Sequence, residues 1–485
     1  MPALKWLAQH GWLFLLIACF AALSLFRESI IPRQADELAG RSWLLTGDEP
    51  TYLLMASAIA AGEGMNVRPA HDREDYLKFQ TRPVLASDQY TWPHYYKSWL
   101  TPVNDASLRW GDAQKPPFTA LLPTFVAPLV RWTDYPRWWW SVLQGLWLCT
   151  LGWLVVSLRP ARESPALMPL AGWCLLVTAL PIGYYSTQLF PEILAGSLLL
   201  LFLMSLERNK GVGLALFAAT LSLWATPRTA PAVLIVTLGA FFLSKGPGHW
   251  RYPAIAVIGW TAFLAFNLWN WSSWFPPMGS SFLSHFLGPI DTEWFGRLMT
   301  GTARVLMGAD VGLFILGPVF LVGLVALFHN VAYGRRLVDF LAATMFFSLI
   351  GGIAMYADFR AGTCPAGRYQ VIPAMILAWA AVRMWFIADV SWRGRWMTAM
   401  ILTGILSVGV ALFVALHPNW WYRAYHPLFG YIPIQKFYGY LPIFTPDAPW
   451  LKIFAWSVLL LIPWGVYDAS RWLLEKIKSK RVVAC

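Results

Sequence analysis

The stretch "QLFPEILAGSLLLLFLMSLERNKGVGLALFAATLSLWATPRTAPAVLIVTLGAFFLS", residues 188–244, decides the fold class. It holds three apolar runs, near 188–206, 211–226 and 229–244. Each approaches the ~20 mostly apolar residues needed to cross a bilayer. The charges Glu207, Arg208, Lys210 and Arg228 fall between the runs or at their ends, as they do where turns meet water.

Outward from there the pattern repeats. Comparable runs lie near 11–26, 138–158, 166–182, 253–270, 311–330, 338–357, 369–389, 396–416 and 451–468. The expectation is an all-α polytopic membrane protein of about twelve transmembrane helices. The stretch 116–130 is apolar but broken by Pro123 and Pro128, and reads as a surface or re-entrant helix. Composition agrees: 58% of the 485 residues are hydrophobic and 13% charged, against roughly 25% charged in soluble domains. A soluble fold of this size has too little interior for so much apolar side chain, whereas lipid accepts it on helix exteriors. The 30 Trp suit the headgroup zone. "LLIAC", residues 15–19, has the form of a lipoprotein cleavage box, but the apolar run continues through Cys19 to Phe26, so an uncleaved first span is the simpler reading. The five cysteines give no disulfide framework: Cys19, Cys149 and Cys174 are in apolar stretches, Cys364 stands in a polar loop and Cys485 ends the chain.

Basic residues set the orientation. Lys5, Arg159 with Arg162, Arg208 with Lys210, Lys245 with Arg251, Arg335 with Arg336, and Arg393 with Arg395 collect in short turns, and Arg471, Lys476, Lys478, Lys480 and Arg481 in the tail. By the positive-inside rule these turns and both termini are cytoplasmic. The twelve spans, strictly alternated, are judged not to bring every one of these turns to one side. A misplaced boundary within 138–270 is therefore expected, with the charges as the firmer guide. The net charge of +12 is assigned to topology and to anionic lipid, not to nucleic acid. Three loops fall outside: a long acidic first loop from 27, a second near 271–310, and a third at 417–450 rich in Pro, Tyr and Trp.

Three motifs on that outer side could carry chemistry. In "GDEPTYLLMASAIAAGEGM", residues 47–65, Asp48 and Glu49 precede Pro50, and Tyr52, Met55, Ala56 and Ile59 share a face at helical spacing. A short amphipathic helix on the membrane surface, ended by Gly62, is expected. Asp48 then either caps the helix or serves as a carboxylate held ionised by its dipole, as a general base must be. In "QKPPFTALLP", residues 114–123, Lys115 is pinned at the water–membrane boundary, where lysines often simply snorkel. In "FRAGTCPAGRYQVIPAM", residues 359–375, Arg360 and Arg368 stand outside against the charge trend, as does Arg228 in "ATPRTAP". Binding of an anionic lipid head is a reason for such arginines. Glu192 in "STQLFPEIL", an expensive charge near the end of a span, is expected to pair with one of them. "HDREDY", residues 71–76, offers Asp72, Glu74 and Asp75 to Ca²⁺ but reads more simply as a solvated acidic loop. No Cys/His cluster has zinc-ligand spacing, and no cofactor is assigned.

Together, the Asp-Glu pair after the first span, the surface helix, "KPP" before the second span, the Pro-Glu opening a later span and the late Gly-Arg-Tyr-x-x-x-Pro resemble the C-type (GT-C) membrane glycosyltransferases. The protein O-mannosyltransferases and aminoarabinose–lipid A transferases are the nearest in kind. The resemblance covers about 1–390, a membrane catalytic core whose first outer loop spans 27–136. It leaves 391–485 as C-terminal helices, the 417–450 loop and a basic tail, without the large outer domain some members carry. It implies inverting transfer of a sugar from a polyprenyl-phosphate carrier to a lipid, glycan or protein acceptor outside the cytoplasmic (inner) membrane. Asp48 would be the base with Glu49 beside it. Lys115, Arg368, Arg360 and Arg228 would bind the donor phosphate, supported by Tyr52, Glu192 and Tyr369. A phosphate leaving group needs cations rather than a general acid, and single displacement needs no second carboxylate as nucleophile. Sugar, acceptor and any divalent metal stay open. The rival is a secondary transporter or lipid flippase, which usually shows two related halves and midplane polar residues; no repeat is visible here.

Overall fold

The structure is a computed structural model that describes residues 49–73, 75, 119–133, 135–157, 167–243, 250–275, 293–307, 312–355, 367–388 and 390–416. Asp48, Lys115, Arg360, the expected spans 11–26 and 451–468, and the loop 417–450 lie outside those residues. Every regular element among them is helical. The principal helices are α1 (Glu49–Ala60), α2 (Leu121–Trp132), α3 (Pro136–Val156), α4 (Leu167–Thr178), α5 (Glu192–Arg208), α6 (Val212–Ala225) and α7 (Ala230–Leu243). They continue with α8 (Arg251–Trp271), α9 (Trp294–Met307), α10 (Phe320–His329), α11 (Leu337–Met355), α12 (Val371–Ile387) and α13 (Val390–Leu416).

Among the described residues, five segments are long and apolar enough to cross a membrane: Pro136–Val156, Arg251–Trp271, Leu337–Met355, Arg368–Ile387 and Trp392–Leu412. Their apolar residues also face outward: Ile258 on α8 and Ile405 on α13 are largely exposed, as are Leu214 and Phe242 on the shorter α6 and α7. In water such faces would be a liability, and in lipid they are the solvent-facing surface.

At the centre stands α12, buried from Val371 to Trp385 and packed against α3, α4, α5, α10 and α11. A helix apolar on all sides can only be central or lipid-facing, and the surrounding helices make it central. Close approach is achieved with glycine. A β-carbon on Gly323 of α10 would sit 2.7 Å from the Leu377 backbone oxygen, and one on Gly196 of α5 would sit 2.6 Å from Met375 Sδ. Without a hydrophobic drive between helices in lipid, such small-residue contacts supply the packing.

The helices alternate between two ends. At one end Arg208 Nη2 donates to Leu154 O (2.8 Å), Asn330 Nδ2 to Ala380 O (3.1 Å), and Arg393 Nε to Trp385 O (2.9 Å). At the other, Thr119 Oγ1 donates to Ala225 O (2.6 Å), Gln370 Nε2 to Val305 O (3.0 Å), and Val319 N–H to Ser407 Oγ (3.0 Å). The described basic residues Arg208, Lys210, Arg251, Arg335, Arg336, Arg393 and Arg395 stand at or next to helix ends of the first group.

Boundaries nevertheless shift. The expected span 188–206 is a helix only from Glu192, because Pro191 closes a non-helical strap before it. The run 166–182 stops at Thr178. The run 311–330 is broken at Gly317 and Pro318 into Leu313–Leu316 and α10, which then continues as a π-helical turn over Asn330–Gly334.

Two expectations in the first loop are corrected. Helix α1 does not lie on a surface: Thr51 to Ala58 are buried throughout, because "TYLLMASA" is apolar or small on every face and α2 packs along it. Its end is as expected. Gly62 takes φ 81°, Gly62 N–H donates to Ile59 O (3.0 Å) and Glu63 N–H to Ala58 O (2.9 Å), the paired bonds of a Schellman motif. Nor is the whole of "HDREDY" solvated. Asp75 is buried and accepts from Ser57 Oγ (2.8 Å) and Arg73 Nη2 (2.9 Å), while Asp72 stays exposed near Arg68. Hydrogen bonds from Arg73 to Glu63 first, and then to Asp75, raise the Arg73 guanidinium above its ordinary pKa.

Candidate functional site: a buried guanidinium cluster at the end of the central helix

The motif "FPE" at 190–192 and the motif "GRY" at 367–369 meet at the end of the bundle opposite the basic turns. Glu192 opens α5, and Gly367, at φ 86°, turns the chain into the 3-10 turn Arg368–Gln370 that leads into α12. Arg368, 2% exposed, donates from Nε to Glu192 Oε1 at 2.8 Å, and its Cζ lies 4.1 Å from the centre of the Phe190 ring. Arg228, in the 3-10 turn Pro227–Thr229 between α6 and α7, approaches the same Oε1 at 3.8 Å. Its Nη2 donates to the Tyr369 hydroxyl (2.8 Å), and its Cζ sits 3.8 Å from that ring's centre.

One carboxylate therefore serves two guanidiniums, each also stacked on an aromatic face. Burying a charge demands pairing, and cation–π contact supplies part of what water withdraws. The sequence expectation that Glu192 pairs with one of the outer arginines holds with both.

Glu49 joins the cluster from α1. It is wholly buried; Leu189 N–H donates to its Oε1 at 2.8 Å, and Arg137 Nη2 lies 3.6 Å from its Oε2. The strap 186–191 links the parts. Ser141 Oγ donates to Thr187 O (3.0 Å) and Gln144 Nε2 to Gln188 O (2.6 Å), while Phe190 packs edge-on against Tyr52 (6.5 Å) and Tyr185 (5.6 Å). Irregular backbone at this depth is tolerated because side chains satisfy its polar groups.

Of the expected site residues, Glu49, Tyr52, Glu192, Arg228, Arg368 and Tyr369 thus come together; Asp48 adjoins Glu49 in the chain, and Lys115 and Arg360 are outside the described residues. Sequence reading missed Arg137, Phe190 and the polar face of α3. Arg137 in "YPRWWW" breaks the charge trend just as Arg228 does, and that signal could have found it. Among the described groups here, the guanidiniums of Arg137, Arg228 and Arg368 gather around the carboxylates of Glu49 and Glu192. Among the described residues no group of three His, Cys, Asp or Glu is placed to hold a metal ion. Compared with protein-family models, with curated proteins and with solved structures, the chain matches none.

Proposed function

We propose that the chain is an inverting glycosyltransferase of the GT-C kind, with about twelve spans, that moves a sugar from a polyprenyl-phosphate carrier to an acceptor outside the cytoplasmic membrane. The observation that carries this reading is the gathering of Arg228 and Arg368 on Glu192, linked through the strap 186–191 to Glu49 at the start of the helix that follows Asp48. The basic turns at the opposite end face the cytoplasm by the positive-inside rule, which puts the cluster and the three long loops outside and both termini inside.

In this reading Lys115, Arg368, Arg360 and Arg228 bind the phosphodiester of the donor, whose prenyl chain stays in lipid. Asp48 takes the proton of the acceptor hydroxyl as its oxygen attacks the anomeric carbon. The bond to phosphate breaks on the opposite face, and the leaving phosphate is stabilised by the cations, so no general acid is required. The acceptor is a lipid, glycan or protein bearing a hydroxyl or amine.

Native mass spectrometry of the purified protein is expected to find polyprenyl phosphate or its glycosylated form bound, and Arg228→Ala to lose it. Incubation with the glycosylated carrier in vesicles then separates the rival. A transferase breaks the sugar–phosphate bond, whereas a flippase moves the intact carrier between leaflets, and that outcome would overturn the reading.

A further inference from the structure

We infer that Arg137 is a positioning residue: with Glu49, the chain neighbour of the proposed base Asp48, it ties the start of α1 to the strap whose Phe190 underlies Arg368; this rests on the transferase reading above. The geometry is continuous. On α3, Arg137, Ser141 and Gln144 recur at i, i+4 and i+7 and so share one face. That face meets three consecutive parts of one assembly: Arg137 faces Glu49 Oε2 at 3.6 Å, Ser141 holds the carbonyl of Thr187, and Gln144 holds that of Gln188. The next residue, Leu189, donates its N–H back to Glu49 Oε1 at 2.8 Å. The residue after that, Phe190, underlies Arg368, and Glu192 takes the Arg368 Nε–H.

Glu49 is completely buried, with one oxygen on a backbone amide and the other toward a guanidinium. A carboxylate so engaged is badly placed to exchange a proton with an acceptor. Its immediate neighbour Asp48 precedes the first turn of α1, so whatever fixes Glu49 fixes the start of the helix and the base beside it. The polar face of α3 thereby sets the distance between base and donor cations through the short run of chain 187–192, rather than through any contact with substrate. A displacement of about 1 Å at such a remove costs on the order of 100-fold in rate.

The test compares wild type with Arg137→Gln, Arg137→Lys, Glu49→Gln and the double variant Glu49→Gln/Arg137→Gln, assayed with a polyprenyl-phosphate-linked sugar and corrected for folded protein. Arg137→Gln is expected to lower kcat by about 100-fold with the donor KM unchanged. Arg137→Lys should recover part of that loss. The double variant should recover more than Arg137→Gln alone. In it no buried carboxylate is left without its cation, while the amide oxygen introduced by Glu49→Gln still accepts the Leu189 N–H. Unchanged kcat per folded molecule, with only the yield reduced, would make Arg137 merely structural and overturn the proposal. A donor KM rising in step with the loss of kcat would make it a donor-binding cation and overturn it equally. A wild-type chain inactive on every donor overturns the transferase reading and this role with it; an active wild type indifferent to Arg137→Gln overturns this role alone.

Discussion

The two ends of the α5–α12 pair solve one problem in opposite ways. The helices run side by side in the same direction, and an ion pair joins them at each end: Glu192 with Arg368, and Glu207 with Arg383 (Nε to Oε1, 2.7 Å). The pairs lie fifteen residues apart along both helices, about 22 Å at 1.5 Å per residue. A third group then sets the sign. Arg228 joins the first pair, so one carboxylate is shared by two cations. Asp339, fully buried on α11, hydrogen-bonds Arg383 at the second, so one cation is shared by two carboxylates. Arg228 stands 3.8 Å from its carboxylate and is stacked on a tyrosine, whereas Arg383 is held between two acids. The same backbone arrangement thus gives, on the proposed function, a binding end and a locked end, and the difference lies in which neighbouring element brings the third charge, the turn Pro227–Thr229 or helix α11.

The largest effect that could break this comparison is all-or-none. With native cysteines replaced by serine, Asp72→Cys should react with an impermeant maleimide added to intact cells, and Arg335→Cys only after permeabilisation. The reverse pattern would put the Arg228 end in the cytoplasm. Next comes Asp48→Asn, which keeps side-chain size and can still cap α1. Loss of a general base costs about 10²–10⁴ in rate, so transfer should nearly vanish while native mass spectrometry still finds the donor bound. An active Asp48→Asn enzyme would leave the binding end without its base.

Stability sharpens the contrast. Arg383→Met leaves Asp339 and Glu207 without their cation, and removal of one partner of a buried ion cluster costs about 3–5 kcal/mol. Arg368→Met should cost less, because Arg228 still faces Glu192. Unfolding in detergent would measure both, and equal losses would mean that the third charge is energetically idle. The smallest effect is at the rim of the binding end. Arg228→Ala and Lys115→Ala should each weaken donor affinity by about 1.5–3 kcal/mol, the worth of a charged hydrogen bond, with little change in unfolding temperature. Normal donor binding by both would place the anionic site elsewhere.

Legibility in the sequence followed the range of each interaction. Elements set by local pattern were readable: the all-helical apolar character, the helix end at Gly62 and the short helix Leu121–Trp132. The misread elements were those whose fate depends on distant chain. "TYLLMASA" shows an i, i+3, i+4 face to anyone reading α1 alone, yet α2 covers the remainder and the helix is buried. "HDREDY" reads as acidic and solvated until Ser57 and Arg73 claim Asp75.

The sequence by itself determined the solvent. Its apolar runs exceed what a soluble core can hold, because burial follows from transfer free energies that act residue by residue. It also marked the costly charges, Glu192, Arg228 and Arg368, since a charge at the end of a span needs a partner whatever the fold. Which partner was beyond it. Glu192 and Arg368 are separated by 176 residues, and Glu49 and Leu189 by 140. Only the packing of α3, α5 and α12 brings them within hydrogen-bond distance. Pairing energy depends on separation in space and not in sequence, and it grows as charges leave water, so the choice among several outer arginines and several carboxylates belonged to the tertiary structure alone.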